Sequence, residues 1–173
     1  MRAREFWKTV TVDGTNFLDR LIARLAAYGI RYCVIGGQGV NAYADPVVSL
    51  DLDLVVAVDQ LVEAERLLRE EFTVERFEHS VNVSEPGSDL RVRLQRDPRY
   101  FPFVDRATTR EILGISLPVA RIEDVLQGKV WAALDVERRS SKRQKDLADI
   151  ARLLEARPAL RAHVPAEVLA RLV

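Results

Sequence analysis

The run Ser49-Leu50-Asp51-Leu52-Asp53-Leu54-Val55-Val56 alternates carboxylate with leucine, and no other stretch constrains the fold as tightly. In an extended chain residues i and i+2 project to the same side. Asp51 and Asp53 therefore converge on one face, while Leu50, Leu52 and Leu54 turn toward a core on the other. Aspartate is disfavoured in strands, so the pair reads either as solvent-facing carboxylates of an edge strand or as ligands for a divalent cation. Mg²⁺ wants hard oxygen ligands and commonly keeps one or two protein carboxylates, leaving the remaining positions to water and phosphate. Thirteen residues, 38–50, separate Asp51 from Gly36-Gly37, which follow the apolar run Tyr32-Cys33-Val34-Ile35. This order predicts a strand at about 31–36, a glycine turn and a short helix at about 38–44, before Asp45-Pro46 breaks the chain. Glycine lets phosphate oxygens approach the backbone, and a helix N-terminus beyond it favours an anion.

The rest of the chain surrounds this unit with alternating elements. Phe17, Leu18, Leu21, Ile22 and Leu25 predict an amphipathic helix over 15–28, capped by Thr15 or Asn16 and ended by Gly29. A helix over 60–71 is marked by Leu61, Val62, Leu67 and Leu68. Strands are expected near 72–77 and 81–83, and Pro86-Gly87 turns the chain into the alternating strand Leu90 to Gln95. From about residue 103 the pattern reads as helices: 103–112, 122–135, 141–156 and a short piece from Pro165. The expected fold class is α/β (α+β). A small mixed sheet core over 1–100 is flanked by helices, and a C-terminal helical region over 101–173 packs on it as one compact unit.

At 173 residues there is room for one such unit with an ample core. Charge balances, with 26 basic and 26 acidic residues, so only local patches can argue for a polyanionic partner. The single cysteine, Cys33, sits in an apolar run and excludes an intrachain disulfide, which fits a reducing cytoplasm. No apolar stretch is long enough for a membrane span and the N-terminus lacks a signal-type apolar core, so a cytoplasmic protein without membrane attachment is expected. His79 and His163 are isolated and have no metal-ligand spacing. Trp7 and Trp131 read as core or interface residues.

Gly36-Gly37, the spacer with Asn41, Ala42 and Tyr43, and Asp51-Leu52-Asp53 resemble the opening motif of the polymerase-beta-type nucleotidyltransferase superfamily. Gly128-Lys129-Val130-Trp131-Ala132 and the run Lys142 to Ile150 are similar to the Lys…(Arg/Lys)-Asp-x-x-Asp signature of minimal, AbiEii-like nucleotidyltransferases, many of them toxins of toxin–antitoxin pairs. The resemblance covers roughly residues 15–157. It implies a small nucleotidyltransferase sheet on which Asp51 and Asp53 hold Mg²⁺ or Mn²⁺ and serve catalysis. Gly36, Gly37 and Ser49 would bind the nucleotide, Lys129 and Lys145 would neutralise its phosphates, and Asp146 would orient Lys129 or a substrate hydroxyl. It also implies NTP as a substrate, an RNA (a tRNA acceptor end among others) or protein acceptor, and a cognate antitoxin.

Two departures bear on that reading. Relatives place a third carboxylate on a neighbouring strand, yet the polar face of the Leu90 strand carries Arg91, Arg93 and Gln95. Asp89 or Asp97 could substitute, although Asp97 before Pro98 is more simply a turn residue. Alternatively Arg93 binds phosphate, and the site works with one metal or is a silent nucleotide- or RNA-binding module. The second departure is the missing basic residue before Asp51. Plainer readings stand beside these: Lys129 as a snorkelling lysine, Lys142, Asp146 and Asp149 as a solvated ion-pair face, and Arg138 to Lys145 as a solvated basic run rather than an RNA guide. A purely protein-interacting member of a toxin–antitoxin pair is the third class of function.

Overall fold

Apolar residues two apart in strands and three or four apart in helices sort here onto the two faces of one mixed sheet. The computed structural model describes residues 16–172; the candidate cap Thr15 and Trp7 lie outside the described residues. The first helix is α1 (Phe17–Ala27), and the chain leaves it through Gly29 at φ +63°. Asn16 stands at its N-cap in a left-handed conformation without a side-chain cap bond. There follow β1 (Tyr32–Ile35), α2 (Gly36–Asn41), β2 (Asp51–Val56), a 3-10 turn (Val58–Gln60), α3 (Leu61–Arg69), β3 (Thr73–Arg76), β4 (Ser80–Ser84) and β5 (Arg91–Gln95). In α3, Leu67 and Leu68 are buried, whereas Val62 points to solvent.

The helices-only expectation beyond residue 103 is corrected by the structure. Residues Pro98–Arg106 form a 3-10 helix, and the chain then makes a hairpin, β6 (Thr108–Ile112) and β7 (Ile115–Val119). Only after it come α4 (Ile122–Leu134), α5 (Ser140–Ala156), a 3-10 turn (Pro158–His163) and α6 (Ala166–Leu169). The hairpin adds two strands to the sheet, whose order is β3-β4-β5-β2-β1-β7-β6. The pairs β2/β5 and β1/β7 are parallel and the others antiparallel.

Period-two alternation sets which face each strand residue joins. Tyr32, Val34, Leu52, Leu54, Val92, Leu94, Leu117 and Val119 pack with α1 and α3 on one side. Cys33, Ile35 and Val55 pack with α4, α5 and the 3-10 helix on the other. Leu50 precedes the strand and is 38% exposed, so the core begins at Leu52 rather than at Leu50. The second face is apolar over β1 and polar over the start of β2 and all of β5, where Asp51, Asp53, Arg91, Arg93 and Gln95 replace aliphatic side chains. A cleft opens there between the sheet and the helices α4 and α5. Among the described residues no helix is long and apolar enough to cross a membrane.

Candidate active site

Asp51 and Asp53 reach the cleft because β2 pairs with β1 on one side and β5 on the other. Ile35 lies opposite Asp53 in the antiparallel register, so the chain turns at Gly36 directly beside the second carboxylate. Gly36 adopts φ +67°, a conformation open to glycine without a Cβ penalty. A Cβ there would be only 3.1 Å from Asp53 Cβ and Cγ and would collide with Oδ2. Gly37, by contrast, faces open space and borders the cleft with Ser49 and Asp51. The helix that starts on this turn is α2, six residues long, beginning on the two glycines rather than after them. Ser49 precedes β2, and its Oγ accepts a hydrogen bond from the Asp51 amide at 3.2 Å.

The two aspartates differ in environment. Asp51 is partly exposed and pairs with Arg91, Oδ1 to Nε 2.9 Å. Asp53 has a buried Oδ1 with no hydrogen-bond partner. Burial pushes the Asp53 carboxyl above the ordinary aspartate range, and the positive charges of Arg93 and Lys129 only partly oppose it. An ionised buried oxygen without a partner is costly, and a divalent cation is the group that would satisfy it. Among the described residues no three His, Cys, Asp or Glu side chains gather into a metal cage. Two adjacent hard-oxygen ligands suit Mg²⁺ or Mn²⁺ arriving with phosphate oxygens.

The opposite wall is α4 and α5. Lys129 lies on the inward stripe of α4 with Ile122, Val125, Leu126, Val130 and Ala133, so helical periodicity buries an ammonium where an aliphatic residue would otherwise sit. Its Nζ is 2.8 Å from Asp149 Oδ2 and 3.2 Å from Asp146 Oδ1. Burial works against the charge, but Asp149 and Asp146 outweigh it and hold Lys129 above the usual lysine pKa. The snorkelling reading of Lys129 and the solvated-face reading of Asp146 and Asp149 are therefore replaced by a buried cluster. The expected pairing of Lys142 with Asp146 does not form. Arg138, from the loop before α5, takes the second edge of Asp146 with Nε 2.8 Å from Oδ2 and Nη2 3.1 Å from Oδ1. Lys142 and Lys145 instead stand at the rim of the cleft with Gly37 and Ser49.

All nine residues singled out in the sequence thus border one cleft: Gly36 on its inner part, Gly37, Ser49, Asp51 and Lys145 on its outer part, and Asp53, Arg93, Lys129 and Asp146 on both. The substitutes suggested for a third carboxylate do not. Asp97 caps the 3-10 helix by accepting from the Arg99 amide at 3.0 Å and binds its guanidinium, the turn role allowed above, and Asp89 is exposed on the loop before β5. Trp131 stacks on Phe103 and meets Tyr100 edge-on beside the cleft, as a core residue does. Sequence reasoning missed Arg138 as a partner of Asp146, and also Arg152. Arg152 holds Asp149 Oδ1 at 2.8 Å and Asn41 Oδ1 at 2.8 Å. Arg152 stands at i+3 from Asp149 in the same helix, a spacing that could have announced that pair, whereas its bond to Asn41 and the grip of Arg138 on Asp146 have no helical spacing to mark them.

A family model described as "Nucleotidyl transferase AbiEii toxin, Type IV TA system" matches residues 20–172. The chain belongs to the AbiEii family. Solved structures with the same fold include the antibiotic-resistance factor ANT(2'')-Ia in complex with adenylyl-2''-tobramycin, at TM-score 0.56 and 14% identity, over 86% of this chain and 97% of that one. The lincosamide antibiotic adenylyltransferase LnuA, lincomycin-bound, aligns at TM-score 0.52 and 10% identity, over 83% and 99% of the two chains. A nucleotidyltransferase-fold protein of Thermotoga maritima aligns at 0.51 and 17%, over 82% and 92%. No curated protein sequence matches this chain. At such identities the neighbours establish the fold of this AbiEii-type nucleotidyltransferase, while the family match spans sheet, cleft and both site helices.

Proposed function

We propose that this AbiEii-type protein transfers an NMP from an NTP to a hydroxyl group of RNA, using a divalent cation held by Asp51 and Asp53. The observation that carries the reading is the buried, unpartnered Asp53 Oδ1 facing a cleft whose other wall presents the buried Lys129 ammonium. When bound, Mg²⁺ or Mn²⁺ would supply charge neutralisation at the reacting phosphate and fix its orientation. Gly37 offers backbone without a side chain, so a triphosphate can lie against it. Lys142 and Lys145 meet its outer charge, and Lys129, fixed by Asp146 and Asp149, meets the inner. The acceptor oxygen bonds to the α-phosphorus as the bond to the pyrophosphate oxygen breaks, and the hydroxyl proton leaves to solvent. Asp146 acts by positioning Lys129.

The basic rim of α5 and its preceding loop favours an RNA acceptor over an uncharged one. Adenylylation of an antibiotic, in the names of two solved structures of this fold, is a chemical parallel. With toxicity and a cognate antitoxin as the family's pattern, we also expect growth arrest on expression of this chain alone. A second reading, a silent nucleotide-binding module, draws on Arg93 where a third carboxylate would stand.

The test is transfer of α-phosphate label from each of the four NTPs with Mg²⁺ or Mn²⁺ to total RNA and to protein extract, beside an Asp51→Ala/Asp53→Ala control. Label in RNA that requires both aspartates supports the proposal. Label only in protein replaces the acceptor. Metal-dependent nucleotide binding without label anywhere would favour the silent module.

A further inference from the structure

The parallel register of β2 and β5 sets Asp51 opposite Arg91 and Asp53 opposite Arg93, with all four side chains on the cleft face. Arg91 is matched by Asp51 at 2.9 Å. Arg76, Arg99, Arg106 and Arg138 likewise each clasp a carboxylate. Arg93 is different: among the described residues no ion pair or hydrogen bond engages its guanidinium, and it is exposed. It borders both parts of the cleft around Asp53 and also the adjoining hollow lined by Trp131, Arg99 and His79.

A two-metal phosphoryl-transfer centre places its ions about 4 Å apart and needs carboxylates enough for both. On β5, the strand next to Asp53, positions 91, 93 and 95 offer two arginines and a glutamine. A guanidinium beside Asp53 repels a second dication, and its planar fork of donors matches phosphate oxygens. We propose that Arg93 takes the place of a second metal ion: the centre holds one divalent cation at Asp51 and Asp53, and Arg93 supplies the other positive charge directly to the substrate phosphates. The inference rests on the reading of Asp51 and Asp53 as metal ligands.

Two measurements test it without relying on turnover. The first counts Mn²⁺ bound per chain by equilibrium dialysis with a non-hydrolysable α,β-methylene NTP at equal free concentration on both sides, as the excess of metal on the protein side. The expected count is one for the wild type, none for Asp51→Ala/Asp53→Ala, one for Arg93→Lys and two for Arg93→Glu. Two ions on the wild type, or a single ion on Arg93→Glu, would overturn the role of Arg93. No ion on the wild type, or an unchanged count in the double-alanine control, would instead sink the metal-ligand reading and this inference with it. The second measurement is metal-free affinity for inorganic triphosphate, expected to fall about tenfold in Arg93→Gln and to recover partly in Arg93→Lys. An unchanged affinity would show that Arg93 does not meet the phosphates. Thermal melting of each variant verifies the fold, which an exposed side chain on the polar face of β5 does not support through packing.

Discussion

Gly36 and Asp53 show how single residues make this cleft. Replacing Gly36 with alanine forces a left-handed backbone on a residue with a Cβ, a cost of about 1–2 kcal/mol, and also drives that Cβ into Asp53 Oδ2. Gly36→Ala is expected to lose about 2 kcal/mol in urea denaturation and to lose label transfer beyond what destabilisation explains, because the carboxylate must move. Gly37→Ala, whose Cβ meets open space, should fold as well as the wild type and weaken nucleotide binding; equal stability losses in both variants would contradict this distinction. Asp53 itself works against folding. Burial raises its folded pKa above the unfolded value, so between the two the native state holds a proton that the unfolded chain has released. Stability therefore falls as pH rises through that window, and the deficit remains in full above it. Asp53→Asn removes the titration: its melting temperature at pH 7 should exceed that of the metal-free wild type, and the decline contributed by this group should vanish. Adding Mg²⁺ should raise the wild-type melting temperature and leave Asp53→Asn unmoved. A flat wild-type profile across the acidic range would remove the argument.

At the scale of elements, the cleft wall depends on α4 and α5 meeting through charge rather than through leucine alone. Asp146 is 1% exposed and receives both Lys129 and Arg138. Truncating one member of a buried ion pair leaves the others uncompensated, at about 3–5 kcal/mol. Asp146→Ala should accordingly lower the unfolding free energy by that amount, read as a lower urea midpoint at unchanged slope, and Asp146→Asn should lose less because it can still accept a hydrogen bond. Helices α4 and α5 were legible in the sequence because their apolar residues keep a helical period, and β2 was legible because two aspartates alternate with leucines. The hairpin β6–β7 was not. Four residues of β6, Thr108 to Glu111, are exposed on the sheet's edge, so no inward alternation marks them, and Arg110 and Glu111 suit a helix equally well. Its two-residue turn is Leu113-Gly114, with φ +55° and +77° and Ile112 paired to Ile115. That turn geometry favours asparagine or glycine, and leucine there gave no signal. The cleft residues could be named from motif spacing, but the burial of Lys129 and its grip by Asp149 arise only when two helices pack. Long-range contacts of that kind carry no sequence period.

Across the whole molecule, one sheet carries two chemistries, an apolar face under α1 and α3 and a face under α4 and α5 that turns polar at β2 and β5. The helices and the sheet must therefore be held in register where hydrophobic packing gives out, and Arg152 sits at that boundary. From α5 it donates to Asp149 Oδ1, to Asn41 Oδ1 at the end of α2 and to the Asp45 carbonyl in the loop before β2. Asn41 in turn closes that loop through the Val47 amide and carbonyl, at 3.0 and 2.8 Å. One guanidinium thus links the helix that fixes Lys129 to the segment that delivers Ser49 and Asp51. Arg152→Ala removes hydrogen bonds to a charged group worth about 1.5–3 kcal/mol. Its greater effect is expected on geometry: with Asp149 unbraced, Lys129 keeps its charge but not its position. Hydrogen exchange should quicken first in residues 41–50 and in α5 around Asp149, while β1, β4 and the α1 face keep their protection. In transfer assays kcat should fall about tenfold or more, with a smaller rise in KM for NTP, since the basic rim at Lys142 and Lys145 is untouched. Uniform loss of protection through the sheet would instead make Arg152 a general stabiliser, with no selective tie between the two walls of the cleft.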